Sequence, residues 1–360
     1  MQRFDTLDGL RGVAALAVVL RHAGAIGGPG YIPFSYLAVD LFFMMSGFVI
    51  AHAYEAKILQ GMSFKQFMGK RILRLAPLFF VGMLFAVFTI LIRKFTGIGD
   101  YYCYWQASLF LTLLLIPTPF FCEGGYHAIF PFNGPAWSLS LEVAGNAAYH
   151  LVAQILTNAI LITISVISGT VILIIVLNST GPDSLNIGYT LDTWWAGAIR
   201  FIFSFTVGII IFRFYDKFPN FRNTIMISMI PYALPAFLAF VLLNHYFANA
   251  ISQIYILSVV FVIFPIMILF SVKINTPKNL QYIFKTLGNT SYAIYIIHHP
   301  IIKMTEQLSN YIGFDFLRYK PQFSLLLIAA LFGLALSLEK FYDRPLRRWV
   351  TLRHKQNSAI

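Results

Sequence analysis

The stretch "DGLRGVAALAVVLRHAG", residues 8–24, has the composition of a membrane helix and yet carries charges at both ends. Residues 12–20 are all apolar or small, and a spanning helix needs about 20 mainly apolar residues. The Ala-Gly-Ala at 23–25 is similar to the cleavage site of a secretory signal peptide, but Arg21 and His22 occupy positions that such a segment keeps small and uncharged. We therefore interpret the stretch as a retained first spanning helix.

The composition of the whole chain predicts a polytopic, all-α membrane protein. Of its 360 residues, 58% are hydrophobic and 11% are charged, whereas soluble domains have about 25% charged residues. No polar block is long enough to fold alone, so we expect one membrane domain over residues 1–360 and no fused soluble domain. The net charge of +12 comes from Lys and Arg beside apolar runs, which the positive-inside rule explains. A nucleic-acid partner is therefore not expected.

Apolar runs of about 20 residues predict ten spanning helices. A further run, Tyr102–Ile116, is shorter and is followed by Pro117, Pro119, Pro131 and Pro135, which break helices. We expect it to form a re-entrant or interfacial helix within an outer 93–135 region, with a cavity nearby, because irregular backbone at membrane depth must be covered. The ten predicted spans are 8–27, 36–58, 70–92, 136–156, 159–177, 192–214, 225–246, 251–271, 286–307 and 322–342.

Loop charge predicts the orientation of these spans. Lys and Arg concentrate in the loops at 56–74, 213–224 and 272–285 and at the C-terminus, whereas the loops at 23–35 and 178–191 contain none. The basic loops should face the cytoplasm, so both termini are expected there. Arg93 and Lys94 count against an outer 93–101 loop, but the basic cluster at 57–74 outweighs them.

Ionisable residues inside the predicted spans are the first candidates for function, because they are costly in lipid. Arg11 and His22 share one face of their helix, roughly 16 Å apart along it. Asp40 and Glu142 are expected in the outer half of the membrane, at the depth of His22. The structural alternatives are an interfacial anchor for Arg11, a polar cap for His22 and a pairing role for each carboxylate.

Two further segments add polar groups. In "KRILRLAPL", Arg71 and Arg74 share a helix face, and arginine matches phosphate through a planar, bidentate fork. Together with Arg11 they predict a cytoplasmic phosphate site, unless they are only positive-inside anchors. In "LGNTSYAIYIIHHP", His298 reaches mid-membrane or above on the face of Ser291, where a packing role is the alternative. Ser46-Gly47 is more typical of helix packing.

The two cysteines, Cys103 and Cys122, carry little information. They show no metal-ligand spacing, so no metal is expected. We expect free thiols, although a disulfide would form if both lay outside.

These segments together resemble the membrane-bound acyltransferase 3 family, the O-acyltransferases that modify surface and secreted glycans. The resemblance extends from residue 8 to 349 and rests on six pieces in order. They are Arg11 with ten residues before His22, "VDLFFMMSGFVI", the Arg-x-x-Arg of Arg71 and Arg74, "WSLSLE" ending at Glu142, "SYAIYIIHHP", and "EKFYDRPLRRW" at 339–349.

The resemblance implies transfer of an acyl group, commonly acetyl, from cytoplasmic acyl-CoA to a hydroxyl of an extracytoplasmic carbohydrate or glycolipid. It makes His22 the expected base and Arg11, Arg71 and Arg74 the expected donor-binding groups. The protein is expected to be embedded in a bacterial inner membrane, with membrane lipid as a further partner. Acyl-CoA is the only cofactor-like molecule expected. The doubled His298-His299 and Arg21 beside His22 depart slightly from the family pattern.

Acyl transfer to an alcohol also needs groups that assist the base. A carboxylate should orient the imidazole of His22, and Glu142 is preferred over Asp40 for this role. Donors must stabilise the developing oxyanion, for which Trp137, Ser138 and Tyr292 are candidates. The thioester end of the bound donor would extend from the arginines to His22.

Two other functions stay open at the level of sequence. The polar residues would also suit a transporter that exports a lipid or glycan, although no inverted repeat is evident. An inactive relative acting as a structural subunit is the second alternative. Release of CoA would distinguish an enzyme from both.

Overall fold

In the computed structural model, the described residues are 3–24, 32–97, 104–120, 127–218, 225–244, 247–314, 319 and 322–357. Within these ranges no β-strand forms, so the predicted all-α class is confirmed. Two π-helical turns, Val259–Ile263 and Glu339–Asp343, each continue one α-helix directly into the next. The helices are α1 (Asp5–Ala23), α2 (Ala38–Leu59), α3 (Phe64–Thr96), α4 (Trp105–Leu113), α5 (Ala136–Val152), α6 (Asn158–Asn178), α7 (Trp194–Phe214), α8 (Ile225–Leu243), α9 (Asn249–Ser258), α10 (Phe264–Lys273), α11 (Lys278–Ile312), α12 (Gln322–Leu338) and α13 (Arg344–Asn357).

Helices form at all ten predicted spans. In the described ranges, six helical segments are long and apolar enough to cross a membrane, so the polytopic class is confirmed. Helices α1, α5, α8 and α11 also coincide with predicted spans but do not meet that test. The part of α8 with described side chains is the apolar stretch 227–243, α5 has 17 residues, and α1 and α11 carry more polar side chains. A total of ten crossings therefore stays a prediction. The six segments are Pro33–Leu59, Phe64–Thr96, Asn158–Asn178, Trp194–Lys217, Asn249–Lys273 and Gln322–Arg353.

Helix α4 has nine residues, or roughly 14 Å of helix, which is too short to span about 30 Å of hydrocarbon. This agrees with the short non-spanning helix predicted between α3 and α5. The backbone that follows is irregular and covered by protein: Phe130 and Asn133 are buried, and the Ile129 N–H donates to the carbonyl oxygen of Tyr189 at 3.0 Å. The segment 127–135 thus lies inside the bundle rather than on its surface.

Close helix contacts hold the centre of the bundle together. A Cβ atom at Gly47 of α2 would overlap the carbonyl oxygen of Phe205, and one at Gly208 of α7 would overlap that of Met44. Only glycine permits this approach of the two backbones. The packing role expected for Gly47 is confirmed.

Helix α1 packs along α11, and this contact positions the ionisable face of α1. Asp8 lies against Gly288 near the start of α1, and His22 meets His298 near its end. Asp8 and His22 of α1 therefore both contact α11, which is why this helix is less apolar than a lipid-facing helix.

Candidate functional site

A partly open cavity of about 360 Å³ lies among α1, α2, α3, α5 and α11. Arg11, Arg71 and Arg74 all line it, so the arginines that the sequence grouped as a phosphate site do meet in one chamber, the arginine cavity. The chamber combines cationic groups with apolar surface, as an amphipathic ligand requires. Its apolar wall comprises Phe42, Phe43, Val49, Ile50, Leu75 and Leu139.

The three arginines differ in their partners. Arg71 donates through Nη2 to Glu142 at 2.9 Å, while its buried Nε has no hydrogen-bond partner. Arg11 pairs with Asp8 on its own helix at 3.2 Å. Arg74 is exposed and forms no ion pair with a described residue. Arg74 is therefore the arginine most available to an anionic ligand, whereas the Nε of Arg71 is unpartnered but covered by protein.

Glu142 lies in the arginine cavity and not beside His22, which corrects the depth expected from the sequence. Its Oε1 atom accepts hydrogen bonds from Arg71 and from Ser46 Oγ, the latter at 3.1 Å. The expectation assumed that α5 starts at the outer surface. Because the preceding segment 127–135 is buried or half-buried throughout, α5 starts inside the bundle, and Glu142 two turns later lies deeper still. The carboxylate acts as a counter-ion to the arginines.

Asp40 is likewise not brought next to His22, because it forms a fully buried ion pair. Arg200 of α7 donates to both of its oxygens, from Nε at 3.1 Å and from Nη2 at 2.6 Å. The same guanidinium donates to the carbonyl oxygen of Ile187 at 2.7 Å and lies over the ring of Trp137, 5.7 Å from its centroid. The pair therefore ties an inter-helix loop to the core, a structural role. The sequence reading did not single out Arg200.

A hydroxyl pair closes one end of the arginine cavity. Ser138 Oγ and the Tyr295 hydroxyl lie 2.8 Å apart, and both residues line the cavity. Ser138 donates its proton to the carbonyl oxygen of Pro135 at 2.9 Å, so the proton between the two hydroxyls belongs to Tyr295. Both protons are thus engaged in this conformation, and Ser138 has none free for an oxyanion. The reading of the sequence missed Tyr295, although its spacing from Ser291 and His298 places it on the same helix face.

Two other oxyanion candidates also have other contacts. The Tyr292 hydroxyl donates to the carbonyl oxygen of Leu75 at 2.6 Å, although its ring lines the cavity. Trp137 is buried, packs against Arg200 and Phe43, and is not among the residues that line the cavity. In this conformation neither side chain offers the cavity a hydrogen-bond donor for an oxyanion.

His22 is hydrogen-bonded to another histidine instead of a carboxylate. His22 Nδ1 and His298 Nε2 lie 2.9 Å apart, and His298 Nδ1 lies 3.1 Å from the carbonyl oxygen of Ile294. The His298 side chain is fully buried, whereas His22 is exposed. Neither ring lines the arginine cavity, but the Tyr295 ring at its end is 6.0 Å from that of His298. The expected path to His22 is therefore closed at Tyr295.

The second histidine of the pair, His299, anchors the buried segment. Pro300 has no N–H, so the carbonyl oxygen of Ile296 loses its helical partner, and the side chain of Asn133 donates to it at 3.0 Å. The N–H of Gly134 donates to His299 Nδ1 at 3.3 Å. The segment before α5 is thus fastened to α11 at the level of the two histidines.

The chain is similar to a known protein family and to one relative. The sequence model of the acyltransferase 3 family, described as an acyltransferase domain, matches residues 4–338. "Protein 2 in picA locus" of Rhizobium radiobacter is 41% identical over 158 residues, which cover 41% of this chain and 81% of that protein. No solved structure matches.

Proposed function

Because this chain belongs to the acyltransferase 3 family and is a membrane acyltransferase, we propose that it moves an acyl group, specifically acetyl, from cytoplasmic acyl-CoA to a carbohydrate hydroxyl outside the cytoplasm. One observation carries the proposal. Three arginines line a single cavity whose closed end lies next to the ring of His298, which is hydrogen-bonded to His22. A cationic chamber for the donor and an imidazole base are two of the parts that such a transfer needs.

The arginine cavity suits the chemistry of an acyl-CoA. Coenzyme A carries several phosphate groups, and arginine binds phosphate through bidentate, charge-assisted hydrogen bonds. Arg74, which is exposed and lines the cavity, supplies such donors. The apolar wall beyond them, which includes Phe43 and Leu139, suits the chain that carries the thioester.

In the proposed reaction, the acceptor hydroxyl attacks the thioester carbonyl carbon while His22 takes the hydroxyl proton. A C–O bond forms, the C–S bond breaks, and the proton passes from His22 to the departing thiolate of CoA. Neutral imidazole suits both proton transfers near pH 7. Exposure of the His22 ring leaves it accessible to an acceptor.

The thioester must pass the hydroxyl pair to reach His22. Tyr295 separates the cavity from His298, and a single hydrogen bond to Ser138 holds its hydroxyl. Rotation of the Tyr295 side chain opens the chamber toward the histidines, and it breaks both that hydrogen bond and the edge contact of the ring with Phe42. We propose that this rotation accompanies donor binding.

The proposed sidedness follows from loop charge. Both termini and the arginine cavity face the cytoplasm, the histidines face outward, and the membrane is a bacterial inner membrane. A glycan or a glycolipid then meets His22 from the outside. Some of the proposed acceptors are lipid-linked, so they would arrive along the bilayer.

The test uses sealed, inside-out membrane vesicles that carry the protein and the cell-envelope glycans of its host. Added [1-14C]acetyl-CoA should yield free CoA thiol outside and label esterified to lumenal glycan. A transporter would move solute without covalent change, so label transport without thiol release would contradict the proposal. Vesicles with His22→Ala serve as the inactive comparison.

A further inference from the structure

We propose that His298 is a positioning residue that fixes the tautomer of His22, in the place that a carboxylate takes beside many catalytic histidines. The inference rests on the proposed function. It goes beyond the assignment of His22 as base, because it says which nitrogen of His22 accepts the proton and what holds it there.

The hydrogen bonds determine where the protons are. A carbonyl oxygen only accepts, so the 3.1 Å contact between His298 Nδ1 and Ile294 places a proton on Nδ1. In a neutral ring, Nε2 of His298 is then unprotonated and must accept in its 2.9 Å contact with His22. The donor is therefore His22 Nδ1, which leaves Nε2 of a neutral His22 without a proton.

The neutral state of His298 follows from its surroundings. Its side chain is fully buried, and no carboxylate in the described ranges forms an ion pair with it. The charged groups and imidazoles that face His22 are Arg21 on its own helix and His298 and His299 on α11. An isolated positive charge at His298 would be costly there.

The free nitrogen of His22 is also the accessible one. The contact with His298 uses Nδ1, His22 also makes a hydrogen bond with the backbone of Val18 on its own helix, and the His22 ring is exposed while His298 is not. A hydroxyl of the acceptor can therefore reach Nε2. When Nε2 takes the proton, Nδ1–H remains bonded to His298, and the hydrogen-bond chain to the Ile294 carbonyl stabilises the imidazolium.

The assignment also explains why two neighbouring histidines occur on α11. His299 accepts from the Gly134 N–H through Nδ1, so a neutral His299 carries its proton on Nε2. His298 carries its proton on Nδ1. The two rings hold opposite tautomers and serve different partners, one the base and the other the backbone before α5.

The experiment compares His298→Gln with His298→Leu in purified protein, with [1-14C]acetyl-CoA and the host's envelope glycan as substrates. The Gln side-chain oxygen can accept from His22 Nδ1, whereas Leu cannot accept. We expect His298→Leu to lower kcat about 100-fold or more, in the range of general-base contributions. His298→Gln should keep kcat within about tenfold of the wild type, because the acceptor is restored. The KM for acetyl-CoA should stay within about twofold in both variants, since the arginine cavity is untouched.

His299→Asn is the matched control, because the Asn oxygen can replace Nδ1 as the acceptor for Gly134. Its kcat should stay within about threefold of the wild type. A His298→Leu variant with wild-type kcat would overturn the inference, as would equal losses in His298→Leu and His298→Gln at unchanged thermal stability. If His298→Leu does not fold, a loss above about 100-fold in folded His298→Gln overturns it. A wild-type protein that releases no CoA would instead overturn the proposed function, and the inference with it.

Discussion

Glu142 lies 2.9 Å from Arg71, at the arginine cavity and away from His22. This contact makes the carboxylate a partner of the donor site and leaves His22 with His298 as its hydrogen-bonding neighbour. The side chain of Arg71 is 8% exposed and that of Glu142 is 24% exposed, so the pair is well shielded from water.

The first prediction concerns this pair. Glu142→Gln and Arg71→Gln should each lower thermal stability, because each leaves a shielded charge without its partner. The double variant should lose less than the sum of the two, with a coupling of about 1–3 kcal/mol. Thermal unfolding in detergent of all four proteins measures it. Additive losses would show that the contact is not energetically significant.

The second prediction concerns Arg74, the cavity arginine that forms no ion pair with a described residue. Arg74→Gln should raise the KM for acetyl-CoA about tenfold, since a charge-assisted hydrogen bond is worth about 1.5–3 kcal/mol. S-acetylpantetheine lacks the nucleotide, so its KM should not change. Arg348→Gln is the control, because Arg348 is exposed but does not line the cavity. Equal effects on both donors would argue against phosphate recognition by Arg74.

The third prediction is that Asp40 contributes to the stability of the fold and not to catalysis. Asp40→Asn or Arg200→Gln should destabilise the protein by about 3–5 kcal/mol, because each leaves an uncompensated buried charge or breaks its network. The folded fraction should keep the wild-type KM for acetyl-CoA. As a comparison, Lys303→Gln breaks the partly exposed Lys303–Glu306 pair and should cost about 1 kcal/mol or less. A stable but inactive Asp40→Asn enzyme would restore Asp40 as a catalytic candidate.

The fourth prediction concerns Tyr295 at the closed end of the cavity. Tyr295→Ala should raise kcat/KM for butyryl-CoA relative to acetyl-CoA about tenfold, because removing the ring makes room for two more methylene groups at about 0.8 kcal/mol each. Tyr295→Phe keeps the ring and should keep the wild-type preference. Competition between the two donors in one reaction measures the ratio directly. An unchanged ratio in Tyr295→Ala would mean that the acyl group does not pass this residue.

Much of the architecture was predictable because apolar run length reports spanning helices directly. Helices form at all ten predicted positions, and the short run before α5 gives only the nine residues of α4. The arginine cluster was also predictable. Helix periodicity places Arg71 and Arg74 on one face, and Arg11 lies near the same end of the bundle.

The partners of the carboxylates were not predictable for a physical reason. The depth of Glu142 was counted from Pro135 as if Pro135 lay at the surface, but the irregular segment before it is buried, and periodicity carries no information about such backbone. Arg200 lies within an apolar helix 160 residues from Asp40, so no local pattern joins them. The contact between His22 and His298 likewise depends on how α1 packs on α11.

The central claim is that His22 accepts the proton of a glycan hydroxyl during acyl transfer. Mass spectrometry of envelope glycans from host cells with the wild-type protein, with His22→Ala and with no protein tests it most directly. O-acyl esters should be present with the wild type and absent in the other two, with both proteins inserted in the membrane at equal amounts. Esters at the wild-type level in His22→Ala cells would contradict the claim.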